Sequence, residues 1–335
     1  MPDASNAILY YEADRTSVAI TELTDQGDHL DYRNAADTLW SGAAGYLPVI
    51  TPNGVYDGLR ITPAASGTND LIDISAGRVY LAGVLTSVGA TTDQAIVRPA
   101  ANDYQKFSIT VDSGGSIVVI DGTEGAATSD VRAATGGPPL VTATSVEIGQ
   151  IHWDSQTPAA VATDEIKQVV GTSEERYDYP QWKVNYSNVS AGSLGYAGVT
   201  FYSALPLIHT GSVPKKVYAS WHTPAFQEIV DAYDFVPPAT TISVNTTEVY
   251  GRVKGGKTQS LGAGSFSAHL SDGVSDNILR HENLNIWFKF YPNRLNVPYH
   301  LAQGYMVRTS SFPAAGNIEA AFTIAAEAQG DNVYA

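Results

Sequence analysis

The sequence predicts a mainly β protein: a sandwich or barrel with one short helix, interrupted by an inserted all-β segment. Three observations lead there. Short runs of β-branched and aromatic residues recur along the whole chain. Gly, Pro, Asn, Asp or Ser bounds nearly every run, which is the pattern of strands and turns. Helical spacing of apolar residues surfaces in few places, so antiparallel sheets fit better than parallel α/β units.

From the N-terminus, Ala7–Ala13 and Ser17–Leu23 read as strands, and Asp31–Trp40 as a short helix candidate. Arg78–Val88 is a strand. Lys106–Asp112 and Ser116–Asp121 flank a Ser-Gly-Gly turn, which supplies the positive φ that a tight hairpin needs. Thr135–Val141 (TGGPPLV) is a rigid turn before the strand Ser145–Trp153, and Asp154–Glu165 is a loop. Beyond it, QWKVNYS, VTFYSAL, KKVYASWH, TTISVN, NIWFKFY, GYMVRTS and IEAAFTIAAEA continue the strand pattern.

The one short helix is expected over Thr223–Asp234. Thr223 can cap it, Pro224 suits the first helical position, and Phe226, Ile229, Val230 and Tyr233 follow at helical spacing. Ser275–Glu282 predicts a single turn capped by Ser275 or Asp276. The stretch from Tyr56 to about Thr163 is rich in Gly, Ala, Ser and Thr, without helix signal. It divides the chain into residues 1–55, an inserted outer β domain at 56–163, and the main part at 164–335.

Composition bounds the function. With 335 residues, 44% of them apolar, the chain is long enough for two domains with sizeable cores. Acidic residues outnumber basic ones 34 to 19, for a formal net charge of -15; such a surface repels phosphate and disfavours specific nucleic-acid binding. The absence of cysteine excludes disulfides, thiolate metal sites and thiol nucleophiles. The opening MPDASNAILYYEADR has no basic n-region or apolar h-region, so no secretory signal is expected there. No run approaches the roughly 18 apolar residues of a membrane span.

Few spacings point to chemistry. His281 and Glu282 are adjacent, and His300 follows after an aromatic run. A zinc helix of the H-E-x-x-H kind needs its second histidine one turn on, so these three read as polar strand ends. His29, His152, His209, His222 and His269 have no ligand spacing. Ser271–Asp276 lacks the alternating ligands of a calcium loop and reads as a turn. Gly251–Thr258 fits G-x-x-x-x-G-K-[ST], yet a phosphate loop needs a following helix and here a turn-rich run follows. A mobile basic loop is the better reading. Glu174–Glu175 before Arg176 reads as a solvated face. No catalytic residue, cofactor site or metal site is expected, and the chain is expected not to be an enzyme.

The C-terminal segment Ser265–Gly330 resembles the major tail tube proteins of tailed bacteriophages. The likeness lies in a strand, the acidic turn SDGVSD, a short helical turn, an aromatic strand ending in FYPN, a strand opening PYHLAQG, and the closing FPAAGNIEAAFTI. It extends over about Tyr179–Ala335, with Met1–Pro52 adding first strands and a loop, and it makes Thr223–Asp234 the family's helix. The middle segment resembles small β domains of tail fibres and baseplates, through VYLAGVLTSV, FSITVDSGGSIVVIDGTEGAA and GGPPLVTATSVEIGQI. An insertion of this size departs from the shortest tube proteins.

The resemblance implies a structural virion protein assembled in the host cytoplasm. Its homo-oligomeric rings, expected to be hexamers, would stack into a tube whose electronegative lumen conducts DNA without specific binding. Expected partners are further copies of itself, a tape measure protein and tail terminator or tip proteins, with no membrane and no cofactor. Alternatives are a baseplate or tail-tip ring and, in a different class, a carbohydrate-binding or glycan-cleaving β protein, since 19 tyrosines and five tryptophans offer faces on which sugars stack. Loops at about Asp37–Tyr56 and Lys254–Gly264 are candidate contacts between rings.

One strand is expected at an assembly interface. In Leu284–Tyr291, Ile286, Phe288 and Phe290 share one face, while Trp287, Lys289 and Tyr291 share the other. Both faces are largely apolar or aromatic, so the second needs a cover, expected from a neighbouring subunit or the outer domain. Trp287, Lys289, Tyr291 and Glu282 are therefore the candidate interface residues.

Overall fold

The computed structural model describes residues 6–35, 38–168, 184–190, 193–311, 317–327 and 330–334. The expected Glu174–Glu175–Arg176 face lies outside them. The fold is mainly β, and the helical pieces among the described residues are single 3-10 turns such as Asn277–His281. No helix among the described residues is long and apolar enough to cross a membrane.

Eleven strands carry the functional argument: β1 (Ile8–Glu22), β2 (Val49–Pro52), β3 (Val217–Glu228), β4 (Ala232–Val236), β5 (Thr240–Val249), β6 (Arg252–Leu261), β7 (Gly264–Leu270), β8 (Asn285–Tyr291), β9 (Tyr299–Ser311), β10 (Ile318–Ala325) and β11 (Asp331–Val333). Nine of them form one sheet in the order β4-β7-β10-β9-β8-β1-β3-β2, with β11 also on β9. The sheet curls until its edge strand β4 faces β1. There the Ile229 N–H donates to the Leu9 carbonyl at 2.8 Å, and Phe235 stacks on Phe290 with ring centroids 4.9 Å apart. The enclosed core includes Leu9, Tyr11, Phe266, Ile286, Phe288, Met306, Phe322 and Ile324. Phe266 and Phe322 stack at 4.7 Å, worth about 1 kcal/mol beyond the area they bury.

The runs expected as separate strands at Ala7–Ala13 and Ser17–Leu23 join into the single strand β1, whose register shifts at Glu12/Asp14 and Val18/Thr21. Bulges of this kind let one long strand bend and follow a curled sheet. Over its β2 and β3 end, a small sheet made from Thr24–Asp25, Asp31–Arg33, Val184–Ser190 and Ser193–Phe201 adds a second layer. Tyr32, Trp40, Ile50, Val199, Phe201 and Trp221 fill the space between.

The helix expected at Thr223–Asp234 does not form. Most of it belongs to β3, whose buried side chains alternate from Val217 through Trp221. Asp231 and Asp234 then take φ of +57° and +52°, a region no right-handed helix visits. The four apolar residues that suggested one face go to different places. Phe226 packs near Trp287, Ile229 enters the sheet core, Val230 is exposed and Tyr233 lies against His269. Pro224 is tolerated because β3 pairs with β2 only from Val217 to Ser220, and an edge stretch of strand accepts a proline. The Asp31–Trp40 helix is likewise replaced by the strand Asp31–Arg33, and residues 36 and 37 lie outside the described set.

A further core draws its fully buried members from Val55 to Val161 and includes Leu59, Ile72, Ile74, Phe107, Ile109, Ile148, Ile151 and Trp153. The hairpin Gln105–Val111 and Ile117–Asp121 pairs around a turn in which Asp112 accepts the Gly114 and Ser116 N–H groups. The run Arg78–Val88, expected as one strand, is two, Gly77–Leu81 and Val84–Val88, reversing at Ala82 and Gly83 with φ of +50° and +76°. At the polar centre of this core, Glu147 is fully buried. It accepts from Ser108 and Gln150 and pairs with Arg132, so no charge is left uncompensated.

Candidate functional site

The aromatic strand β8 has the two faces its sequence implies. Ile286 and Phe288 are fully buried in the sheet core, while Trp287, Lys289 and Tyr291 point to the other side. What covers that side changes along the strand. At one end Trp287 is fully buried beneath Leu39 and the backbone of Trp40, and its indole N–H donates to the Trp40 carbonyl at 2.8 Å. Glu12, also fully buried, fastens this cover by accepting from Ser41, from Arg15 at 2.7 Å and from the Trp287 amide at 3.2 Å. The cover expected from a neighbouring subunit or the outer domain is thus supplied, at Trp287, by the chain's own residues 38–41. Part of the loop expected at Asp37–Tyr56 for ring contacts serves this internal purpose, and Asp37 itself lies outside the described residues.

Beyond that cover the same face opens into a pocket of about 310 Å³, lined by Ile8, Tyr10, Phe226, Lys289, Tyr291 and Arg294. The strand register explains the grouping, since Tyr10 lies opposite Lys289 on one side and Glu228 on the other. The Lys289 ammonium sits 4.1 Å from the Phe226 ring centroid and 5.0 Å from that of Tyr299. Burial pulls Lys289 below the ordinary lysine range. Tyr10, Tyr291 and Tyr299 make an edge-to-face and tilted aromatic row with centroids 5.9 and 5.1 Å apart.

Glu282 closes the 3-10 turn Asn277–His281 and lies 3.6 Å from Arg308. His281 is buried, with Nδ1 3.1 Å from the Asn277 carbonyl and Nε2 3.0 Å from the Ala13 carbonyl. His300 instead pairs with Asn332 at 2.9 Å. Each of the three residues that first suggested chemistry has its own partners. Among the described residues no group of three or more His, Asp or Glu is arranged to hold a metal ion. In the SDGVSD turn, Asp272 accepts from the Ser275 hydroxyl and from the Val274 and Ser275 N–H groups, and these bonds lower its carboxyl to about 2.

The second feature is an arm. β5 and β6 pair with each other over ten residue pairs, from Thr240↔Leu261 to Val249↔Arg252, and form a separate two-stranded sheet. Gly251, with φ of +80°, makes the turn, and the Gly262 N–H donates to the Ala239 carbonyl at 2.9 Å to close the base. The mobile basic loop expected at Gly251–Thr258 and the ring-contact loop expected at Lys254–Gly264 are therefore mostly strand, and Gly251–Thr258 has no helix after it to cradle a phosphate. β-branched residues through β5 supply the strand preference that Gly255 and Gly256 lack.

All of β6 and the described side chains of β5 are exposed, except half-exposed Thr240. Directly paired residues share a face. One face of the arm carries Ile242, Val244, Val253 and Leu261, 55%, 63%, 64% and 38% exposed, interleaved with Gln259, Lys257 and Glu248, and among the described residues nothing covers these apolar side chains. Across the arm Arg252, Lys254 and Lys257 stand against the single acid Glu248, in a chain with net charge -15.

Searches against protein-family models, curated proteins and solved structures find no match to this chain.

Proposed function

We propose that this protein is a structural, self-assembling subunit rather than an enzyme, a tail tube protein whose copies join into rings that stack. The observation that carries the reading is the β5–β6 arm. A lone two-stranded hairpin is marginal in water, and this one exposes Ile242, Val244, Val253 and Leu261 on one face. Burying what remains exposed of its four apolar side chains is worth on the order of 4 kcal/mol per arm before ordering costs. A basic arm on an acidic chain is complementary to another copy of that chain, which favours self-association over a foreign partner.

In this reading the arm reaches the next copy, and the acidic balance serves a lumen through which DNA slides without sticking. The Val55–Val161 core is the outer domain, and Lys289, Tyr291 and Glu282 remain available for contacts between copies, whereas Trp287 does not. Electron microscopy of purified protein tests it. Intact protein is expected to form rings or tubes, and protein with residues 240–261 replaced by a short glycine turn is expected to stay folded and dispersed. Dispersed monomers from the intact chain at high concentration, or unchanged rings from the trimmed chain, would overturn the proposal.

A further inference from the structure

We propose that the pocket at Lys289 and Arg294 is a binding site for a carboxylate carried on an apolar stem. Its chemistry is unlike the rest of the molecule. In a chain of net charge -15 it brings two cations together over the apolar wall of Ile8 and Phe226. Lys289 comes from β8, Phe226 from β3 and Ile8 from β1, so the sheet assembles most of the site, and the turn between β8 and β9 adds Arg294. Among the described residues no carboxylate pairs with the Lys289 ammonium. Its stem is half-buried and its charge rests on the faces of Phe226 and Tyr299. A partly desolvated ammonium without an anion carries an uncompensated cost, and an arriving carboxylate relieves it.

Arg294 stands at the mouth, 46% exposed, with Glu228 3.9 Å away. That separation is too long for a hydrogen bond, so the guanidinium can turn to a ligand. Tyr10 and Tyr291 complete the lining and offer phenolic hydroxyls beside the cations. The Tyr291 hydroxyl, raised further by desolvation, is protonated at neutral pH as an ordinary tyrosine is, and so is a hydrogen-bond donor there. A volume near 310 Å³ is at the small end of ligand pockets, suited to a stem of a few carbons and one acid group.

The same chemistry is offered by a free aliphatic carboxylate and by a glutamate side chain presented by a second copy. The site shares no residue with the arm, so failure of either proposal leaves the other in place. Calorimetric titration of the intact protein with hexanoate, hexylamine and hexanol, read beside sedimentation of the same samples, decides it. Hexanoate is expected to bind in the millimolar range, at least tenfold more tightly than the amine or the alcohol, and Lys289→Met is expected to weaken it at least tenfold. Binding with the sedimenting mass unchanged identifies a free carboxylate as the occupant. A mass that falls with hexanoate, and that is already lower in Lys289→Met without it, identifies the neighbour's glutamate. Equal binding of hexanoate and hexylamine, undiminished binding to a folded Lys289→Met, or neither heat nor mass change with hexanoate would overturn the proposal. The probe comparison on the unmodified chain stands even where the variant fails to fold.

Discussion

Trp287→Ala separates a residue of the chain's own core from a residue of an interface. The side chain is fully buried against Leu39 and Leu301, and its indole N–H donates to the Trp40 carbonyl at 2.8 Å. Removing a buried tryptophan costs about 3–5 kcal/mol through lost transfer energy and the cavity left behind. The lost hydrogen bond adds about 1 kcal/mol, so the whole is roughly 4–6 kcal/mol, a large share of the 5–15 kcal/mol by which a domain is usually stable. Trp287→Phe keeps most of the buried ring and is expected to cost about 1–2 kcal/mol, mainly the hydrogen bond and a small void. Urea unfolding followed by circular dichroism, at a concentration low enough to keep the protein dispersed, measures both. A Trp287→Ala midpoint within about 1 kcal/mol of the unmodified protein would refute the internal cover by residues 38–41.

Two further outcomes follow from particular residues. Burial first, then the nearby Lys106 and Lys167 ammonium groups, pull the His152 ring from 6.5 to about 4. The unfolded chain therefore binds more protons between these values, and stability falls as pH drops from about 6.5 to about 4, by on the order of 2 kcal/mol after discounting for partial exposure. Urea midpoints across that window should flatten in His152→Gln, and an unchanged slope would remove His152 as the cause. Gly251 has φ of +80° and no atom within 4 Å of an added Cβ, so Gly251→Val strains the backbone without a clash, at about 1–2 kcal/mol. Amide exchange in β5 and β6 is expected to quicken roughly tenfold while the rest of the chain keeps its protection; unaltered arm exchange would count against the turn geometry.

Much of the strand content was legible because alternation is local. β8 shows this best: the partition of Ile286 and Phe288 from Trp287 and Lys289 needs only the period of two. What covers the second face was not legible, because Trp40 lies 247 residues from Trp287 and no local pattern links them. The Thr223–Asp234 helix failed because a cap, a proline and four spaced apolar residues make a consistent local signal. Tertiary pairing of Thr223–Glu228 in β3 with β1, over residues more than 200 apart, overrode it. The TTISVN run of β5 reads as a strand, but β6 reads as a loop since Gly255, Gly256 and two lysines suppress its strand signal, and only its pairing with β5 reveals it. The pocket at Lys289 was half visible. Lys289 and Tyr291 stood out on their own strand, but Ile8, Tyr10 and Phe226 join them only through strand order and register.

The arm's apolar face bears most directly on assembly. Sedimentation velocity of the unmodified protein and of Ile242→Asp/Val253→Asp, at matched concentration and with equal thermal stability confirmed, reads the effect. The account predicts large, concentration-dependent species for the unmodified chain and a single monomeric boundary for the double variant. Identical sedimentation of the two, whether both assembled or both monomeric, would contradict it.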